Sequence, residues 1–333
     1  MINFGIIGTN WITHSYVESA QSTNEWKLVA VYSRADATAK EFASKYDQPV
    51  STYTSLDALA ADANVQAVYI ASPNSFHHAH AKHMLLAGKH VVLEKPSTST
   101  SAELDELFAI AKDKKLFLIE AFRHIQEKNF KVLKDRIAGL GTIFGASITY
   151  AQYSSRYEKV LAGETPNIFN LDFSAGALTD LGVYCVCAAV ELFGKPKRST
   201  YYPVIIRTGA DGGGRLVLEY DGFVVHLCHS KIYNSDAPSE VYGEKGTLIV
   251  PTITDIESVV LWDPRAKTRT ELKVGEAEKL NLREEAVEHA RVINEADWKA
   301  FERYERLSRD VLEVMETVRR DNGLLFKVER EGN

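Results

Sequence analysis

Cysteine is scarce in this sequence. The 333 residues include three cysteines, Cys185, Cys187 and Cys228, and no two of them form a Cys-x-x-Cys pair. Neither a disulfide framework nor a zinc ribbon is therefore expected. Because chains with few cysteines are typical of reducing compartments, a cytoplasmic location is the simplest expectation.

Long runs of one charge sign are also missing. The chain has 39 Lys and Arg against 45 Asp and Glu, a net charge of −6, and it has no basic block. Nucleic-acid binders carry a basic stripe, and anionic membrane surfaces attract basic clusters, so both partners are disfavoured. No run approaches the ~18 apolar residues of a membrane span, and the N-terminus has no positively charged leader. We therefore expect neither a nucleic-acid nor a membrane partner.

The length and the order of the apolar segments predict two domains. The first part alternates short apolar strand patterns with longer helical patterns, which is typical of a parallel sheet covered by helices on both faces. Ligands of such sheets bind at the carboxyl ends of the strands. Strands are predicted at residues 4–7, 27–33, 67–71, 90–93 and 116–121, and helices at 12–20, 37–46, 75–87 and 102–115.

After residue 121 the pattern changes to that of an α+β domain with a mostly antiparallel sheet. Asp221-Gly222 between two apolar runs is a strong hairpin signal, and the triplet Gly212–Gly214 predicts another hairpin turn. We therefore expect one domain over residues 1–121 and a second over 122–333. In the second, strands are predicted at 142–153, 201–207, 216–220, 223–231 and 247–250, and helices at 178–192, 284–296 and 302–322.

The turn between the first strand and the first helix carries part of a dinucleotide-binding motif. In the register G-x-G-x-x-G/A, Gly8 matches the first position, whereas Asn10 and Thr13 replace the other two. Such a turn places main-chain N–H groups of a helix N-terminus against a pyrophosphate. Asparagine tolerates a left-handed backbone better than most residues, so the turn is expected to survive. An ordinary strand–helix turn is the alternative.

The end of the second strand indicates which nucleotide is bound. An NAD site places Asp or Glu about 20 residues after the glycines, to accept from the ribose hydroxyls. This strand ends instead in Ser33-Arg34, and an arginine fork suits a 2′-phosphate. NADP(H) is therefore favoured. The alternative is that Arg34 is solvated and Asp36 binds the ribose of NAD(H).

Two further strand ends carry polar residues. Ser72-Pro73-Asn74 follows the strand at 67–71, and Glu94-Lys95-Pro96 follows the strand at 90–93. Functional groups of a parallel sheet collect at such ends, and the proline makes the second turn more rigid than an ordinary loop. Helix capping by Asn74 and a solvated Lys95 are the alternatives.

Four histidines on one predicted helix, His77, His78, His80 and His83, could suggest a metal site. No carboxylate or thiol joins them at ligand spacing, so we expect surface or cofactor-lining histidines and assign no metal. A metal-dependent hydrolase built on these residues is the rival interpretation.

The long helix of the second domain carries Asp180 and Tyr184. Residues four apart project from one face of an α-helix, which would bring the carboxylate and the phenol to one site. In the structural alternative, Asp180 stabilises the helix N-terminus and Tyr184 packs in the core.

Together, the segments GIIGTNWI, Ser-Pro-Asn-x-x-His, AGKHVVLEKP and GALTDLGVY resemble the Gfo/Idh/MocA oxidoreductase family in order and spacing. The resemblance implies an N-terminal Rossmann domain, a C-terminal domain whose open sheet forms an oligomer interface, and NAD(P)-dependent chemistry on sugars, polyols, cyclitols or diols. It places Lys95 at the family's active-site lysine and Asp180 at its helix aspartate. Tyr184 stands where many members have histidine, as in the glucose–fructose oxidoreductase and dihydrodiol dehydrogenase branch.

Roles for individual residues follow from this resemblance. Tyr184 is expected to be the general acid/base, because a nearby cationic Lys95 would lower the ordinary tyrosine pKa of about 10. Asp180 would hold Lys95 or a substrate hydroxyl, and Arg123, His124 and Asp172 would line the substrate. The residues expected at the cofactor are Gly8, Thr9, Asn10, Trp11, Ile12, Ser33, Arg34, Ser72, Pro73, Asn74, His77, Glu94 and Lys95.

The expected partners are a small-molecule substrate and further copies of the chain. A homo-oligomer, most simply a dimer, would cover the open sheet of the second domain. The rival function is a catalytically inert NAD(P)-binding sensor of the same fold. Retention of both Lys95 and Tyr184 argues against that rival, because a sensor needs neither.

Overall fold

The computed structural model describes residues 1–272 and 275–331 and divides the chain into two compact units. The first unit comprises Met1–Ala121 together with Lys279–Arg309, and the second comprises the described parts of Phe122–Glu278 and Asp310–Asn333. The sequence predicted one boundary after residue 121. The structure agrees with a division at that point but groups residues 279–309 with the first unit, where the prediction had placed them in the second.

The first unit contains a six-stranded parallel sheet in the order β3-β2-β1-β4-β5-β6, the arrangement of a dinucleotide-binding Rossmann fold. The predicted α/β class of this part is therefore confirmed. Its strands are β1 (Ile2–Ile7), β2 (Trp26–Tyr32), β3 (Ser51–Tyr53), β4 (Ala67–Ile70), β5 (His90–Leu93) and β6 (Leu118–Glu120). Its N-terminal helices are α1 (Trp11–Ser22), α2 (Asp36–Ala43), α3 (Leu56–Ala61), α4 (His77–Leu86) and α5 (Ser101–Asp113).

The central strands of this sheet are buried on both faces. All four residues of β4 and five of the six in β1 are buried, which explains why these strands read as continuous apolar runs. Capping fixes the helix starts: Thr100 and Glu103 form a reciprocal capping box at α5. A 3₁₀ turn over Asn74–Phe76 precedes α4, so the helix predicted from residue 75 begins in a tighter turn.

The second unit contains an eight-stranded sheet in the order β14-β13-β12-β11-β7-β10-β9-β8. Among the described strands of this sheet, only β7 and β10 pair in parallel; the other neighbours are antiparallel, which confirms the predicted α+β class. The helices before and among the strands are α6 (Arg123–Gln126), α7 (Lys128–Ile137), α8 (Ser155–Leu161) and α9 (Val183–Phe193). The strands are β7 (Ile143–Ala151), β8 (Arg198–Ile205), β9 (Asp211–Glu219), β10 (Val224–Ser230), β11 (Ser239–Gly243), β12 (Gly246–Val250), β13 (Val259–Asp263) and β14 (Thr268–Leu272).

Three helices follow in the part of the chain that the structure describes up to residue 331. They are α10 (Arg283–Asn294), α11 (Trp298–Asp321) and α12 (Lys327–Glu331). Helix α10 packs on the first unit: Leu282, Ala286 and Ala290 belong to the core cluster that contains Phe4 and Trp26. The indole Nε1 of Trp26 donates to the Ala286 carbonyl oxygen at 2.8 Å.

The hairpin turn predicted at the glycine triplet is wrong. Gly212–Gly214 lies inside β9, and the chain reverses one step earlier, where the Ile206 N–H donates to the Ala210 carbonyl oxygen. A Cβ at Gly212 would lie 2.6 Å from the Ile206 side chain, and one at Gly214 would overlap the Tyr201 ring. These glycines therefore permit close packing within the sheet. The hairpin turn at Asp221-Gly222 is confirmed, because β9 and β10 pair antiparallel around it.

One helical segment of the described chain, Leu171–Phe193, is long and apolar enough to cross a membrane by length and composition alone. The sequence prediction had found no such run. Within this segment 83% of the most apolar window is buried inside the protein, as expected for a core helix. Packing within the protein therefore accounts for its apolar character.

Candidate active site

A cavity of about 390 Å³ lies in the first unit at the carboxyl ends of β1, β2 and β4. This is the edge where parallel α/β sheets bind ligands. Of the predicted cofactor residues, the cavity brings together Gly8, Thr9, Asn10, Ser33, Arg34, Ser72 and Pro73; Ile7, Tyr32, Ala71, Phe76 and His80 also line it.

The turn after β1 fits a dinucleotide despite its missing glycines. Gly8 has φ +106°, and a Cβ there would lie 2.6 Å from the Ala71 carbonyl oxygen, so the position requires glycine. Asn10 has φ −86°, which corrects the expectation of a left-handed residue. Its Oδ1 accepts the Thr13 N–H at 3.1 Å and its Nδ2 donates to the Ala71 carbonyl oxygen at 3.0 Å. Asn10 is thus the N-cap of α1, and Thr13 is its buried partner.

The next two predicted residues of this turn contribute differently from Gly8. The Trp11 side chain is 76% exposed, whereas Ile12 is half-buried and packs against the core of the first unit. A contact between a cofactor and these residues would therefore involve the first-turn main-chain N–H groups, which lack partners within an α-helix.

The strand end at Ser33-Arg34 presents a hydroxyl and an exposed guanidinium to the cavity. Asp36, the alternative ribose ligand, is not among the cavity-lining residues; its carboxylate pairs with Lys40 at 2.7 Å on the first turn of α2. The chain therefore offers a cation, and no carboxylate from this strand end, at the position that distinguishes the two nucleotides.

His77 links the loop after β4 to the turn after β5. The ring is buried, with Nδ1 2.9 Å from the Pro96 carbonyl oxygen and Nε2 2.8 Å from the Ser72 carbonyl oxygen. Burial lowers the pKa of His77, the hydrogen bonds to the Pro96 and Ser72 carbonyl oxygens raise it, and the charge of Lys95 lowers it, with a net decrease. The geometry gives His77 a structural contact with two loops rather than a position in the cavity wall.

The Glu94-Lys95-Pro96 turn divides its side chains between the interior and the surface. Glu94 is buried and accepts the Tyr69 hydroxyl at 2.6 Å, whereas Lys95 is partly exposed at the end of β5. The peptide bond between Lys95 and Pro96 is cis. Glu120 supports the same turn by accepting the Ser97 N–H at 2.8 Å.

In the second unit, Asp180 lies in the turn that precedes α9, and Tyr184 lies in the first turn of α9. Residues Leu178–Gly182 form a π-helical turn before α9, and π turns change the angular spacing of side chains. Asp180 forms an ion pair with Lys231 at the end of β10, a lysine that is only 6% exposed. The sequence prediction had not included Lys231.

Tyr184 lies among aromatic and charged side chains of the second unit. Its ring centroid is 5.1 Å from that of His124 and 5.4 Å from that of Tyr150, both edge-on. The Arg123 guanidinium carbon is 5.7 Å from the same centroid. Two of the predicted substrate-lining residues, Arg123 and His124, therefore contact the predicted acid/base, although both are buried.

Arg123 is fixed by one carboxylate far away in the sequence and by one four residues further along the chain. It donates to both oxygens of Asp255, at 2.8 and 2.7 Å, and to Glu127 at 3.4 Å. Burial alone would lower the pKa of Arg123, but Asp255, Tyr184 and Glu127 raise it overall. The guanidinium is therefore held cationic.

The third predicted substrate-lining residue, Asp172, is placed differently. It is exposed and forms an ion pair with Arg330. The structure therefore does not group Asp172 with Arg123 and His124.

The other three histidines of α4 contact three different residues. His78 contacts Glu106 at 2.7 Å, His83 contacts Asp57 at 3.1 Å, and His80 lies 3.0 Å from the Ser72 hydroxyl. Within residues 1–272 and 275–331, no group of three or more His, Cys, Asp or Glu side chains is placed to hold a metal ion. The arrangement gives a metal-dependent hydrolase no support.

Comparisons with known proteins match the whole chain. Residues 2–122 match the model of the oxidoreductase family with an NAD-binding Rossmann fold, and residues 130–249 match the Gfo/Idh/MocA C-terminal domain. The chain is 37% identical over 337 residues to the scyllo-inositol 2-dehydrogenase (NADP(+)) of Bacillus subtilis, covering 99% of this chain and all of that protein. It is 31% identical to the trans-1,2-dihydrobenzene-1,2-diol dehydrogenase of Mus musculus, over 74% of this chain and 73% of the relative.

A solved structure shows the same fold at lower identity. A 3-ketoreductase from Actinomadura kijaniata superposes with a TM-score of 0.81 at 20% identity, covering 96% of this chain and 97% of that one. Both parts of the sequence, with their order and their folds, thus agree with one family. This chain belongs to the Gfo/Idh/MocA family of oxidoreductases.

Proposed function

We propose that the protein is an NADP(H)-dependent dehydrogenase that acts on the CH–OH or C=O group of a cyclitol, polyol or related diol. The relatives named for an inositol and for a dihydrodiol support this substrate class, and the first of them is named for NADP(+). NAD(H) is the alternative cofactor. The scarcity of cysteine and the burial of all three, none of them in a disulfide, support a cytoplasmic location.

The observation that carries the cofactor assignment is the cavity of the first unit. Gly8 leaves space where a Cβ would collide with Ala71, and Ser33 and Arg34 supply the hydroxyl and the fork that suit a 2′-phosphate. Thr9, Asn10, Ser72 and Pro73 would complete the walls, with the N–H groups of Trp11 and Ile12 at the pyrophosphate. We assign Asn74 to the nicotinamide side, and His77 and Glu94 to supporting the loops that hold the cofactor.

The catalytic roles are assigned to residues of this chain. The bound nicotinamide would supply or accept the hydride. Tyr184 would donate a proton to the carbonyl oxygen in reduction and remove it from the hydroxyl in oxidation. Lys95 would orient the substrate oxygen and favour the phenolate, and Asp180, already paired with Lys231, would fix substrate hydroxyls. Arg123, His124 and Asp172 are also proposed to contact the substrate, but the proton transfer does not require these contacts.

Substitution of the proposed acid/base tests these roles. Tyr184→Phe keeps the ring but removes the hydroxyl, so single-turnover hydride transfer should fall by roughly 10²–10⁴-fold while cofactor affinity barely changes. Lys95→Met should also slow transfer and raise the pH at which oxidation reaches half its maximal rate. Tyr153→Phe is the matched control, because Tyr153 is an exposed tyrosine bonded to Glu158. A Tyr184→Phe rate within threefold of the parent would remove Tyr184 from the mechanism.

The substrate and the sensor alternative are tested together. Cofactor absorbance is followed with NAD(H) and NADP(H) against a panel of sugars, inositols, keto-sugars and diols. Turnover of an inositol or diol with NADP(H) supports the proposal. Tight nucleotide binding with no turnover of any panel member supports the inert sensor instead.

We also propose that the second unit forms a homo-oligomer through the sheet face that bears Tyr202, Val204 and Val224. Strand register places these side chains on one face, and Tyr202 is 64% exposed. Contiguous exposed apolar surface marks an interface more often than free surface.

A further inference from the structure

Arg123 stands out because its charge is buried beside the proposed acid/base. We propose that Arg123 is a positioning residue for Tyr184: its clamped guanidinium fixes the phenol ring and stabilises the phenolate. This inference rests on the proposed function in one respect: the proposed function makes Tyr184 the acid/base. The contacts that carry it lie entirely within the second unit.

Arg123 and Tyr184 are close enough for the charge of the guanidinium to act on the ring. The guanidinium carbon lies 5.7 Å from the Tyr184 ring centroid, within the range of a cation–π contact. Arg123 is only 8% exposed, so little water screens the two groups. A cation at this distance attracts a phenolate more strongly than a neutral phenol, and it therefore favours loss of the hydroxyl proton.

Two carboxylates, Asp255 and Glu127, hold the Arg123 guanidinium in position. Asp255 accepts two parallel bonds from its terminal nitrogens, at 2.8 and 2.7 Å. Asp255 is itself held in a left-handed conformation, φ +53°, while Glu127 accepts its N–H at 2.8 Å and that of Ile256 at 3.0 Å. Glu127 thus orients Asp255, and Asp255 orients Arg123. A lysine could not form this two-pronged contact.

Several other charged and aromatic groups surround the Tyr184 ring. Helix α6 presents Arg123 and His124 to the ring, β7 presents Tyr150, and its own helical segment carries Asp180, which Lys231 neutralises. Behind Arg123, Asp255 offsets part of the positive charge. Burial raises the pKa of Glu127 to about 7, so this second carboxylate is only partly ionised at neutral pH. The guanidinium is nevertheless the group that lies over the ring, whereas Asp255 and Glu127 bind the guanidinium.

The test is titration of Tyr184 in the cofactor-free protein. Tyrosine labelled at Cζ with ¹³C is followed by NMR, and the Tyr184 resonance is identified by its loss in Tyr184→Phe. Arg123→Met should raise the midpoint of phenolate formation by about one pH unit, the residual effect of a buried charge partly offset by its carboxylate. Arg269→Met is the matched control: Arg269 also lies over a ring of this unit, Trp262, at 5.3 Å, but is exposed. It should leave the midpoint unchanged.

An unchanged Tyr184 midpoint in folded Arg123→Met overturns the proposal. If that variant does not melt cooperatively, Arg123→Gln replaces it, because glutamine keeps a donor for Asp255 and removes the charge; an unchanged midpoint then overturns the proposal. A different measurement, hydride transfer, shows whether the proposed function fails. A Tyr184→Phe enzyme that still transfers hydride refutes the acid/base assignment whatever Arg123 does to the titration.

Discussion

Glu120 is a buried carboxyl group that should make the first unit less stable as the pH rises. It lies at the end of β6 and accepts the Ser97 N–H, two residues after Lys95. Burial raises the pKa of Glu120 to about 7 from an ordinary value of 4.5, against hydrogen bonds from Ser308 and Ser97 that lower it. Stability of the first unit should therefore depend on the protonation of this one group.

The sign and size follow from linkage. Below pH 4.5 the carboxyl is protonated in the folded and the unfolded chain, and its stabilising effect is fully present. Between pH 4.5 and 7 the unfolded chain releases the proton first, so the free energy of unfolding falls until the folded pKa is passed. A shift of about 2.5 units, at about 1.4 kcal/mol each, corresponds to a loss of roughly 3 kcal/mol.

The perturbation is Glu120→Gln, which keeps an oxygen acceptor for Ser97 and removes the ionisation. Urea unfolding is measured from pH 4.5 to pH 8 by tryptophan fluorescence in a Trp262→Phe background, because Trp11, Trp26 and Trp298 all lie in the first unit. Above pH 7 the variant should be more stable than the parent by up to roughly 3 kcal/mol. Glu41→Gln, an exposed site on α2, is the control. Equal pH slopes for Glu120→Gln and the parent would refute the reasoning.

Three further outcomes are expected. Ser33→Asp should repel the 2′-phosphate beside Arg34 and shift preference toward NAD(H) by about 1–3 kcal/mol; a parent that binds NAD(H) as tightly as NADP(H) in calorimetry would contradict the assignment. His77→Phe should lower the free energy of unfolding by about 1–3 kcal/mol, because a buried carbonyl oxygen loses its donor; unchanged urea denaturation would show that no such bond exists. Light scattering should show an oligomer at micromolar concentration that Tyr202→Glu with Val204→Lys dissociates, and a monomeric parent would refute the interface.

Sequence reasoning succeeded where the determining interactions are local. The apolar run at residues 67–71 predicted β4, observed over Ala67–Ile70, because a strand buried on both faces needs no polar alternation. The grouping of the polar strand ends was also predictable, because the carboxyl ends of parallel strands lie at one edge of the sheet. Gly8, Ser33 and Ser72 accordingly line one cavity.

It failed where distant residues or backbone irregularities decide. The π-helical turn at Leu178–Gly182 was not predicted, because a spacing argument that assumes 3.6 residues per turn cannot detect it. One partner of Arg123, Asp255, lies 132 residues away in the sequence, and no local pattern indicates this contact. The strands β13 and β14 were omitted from the prediction altogether.

The return of α10 to the first unit has a consequence for biosynthesis. Residues 1–121 are made long before residue 290, yet Ala286 supplies the acceptor for Trp26, and Leu282 and Ala290 complete its core. At about 5–20 residues per second, a ribosome needs roughly 10 to 30 seconds to make the intervening chain. During that interval the part of this core that Leu282, Ala286 and Ala290 cover is exposed, so we expect chaperones that recognise apolar surface to bind the nascent chain there.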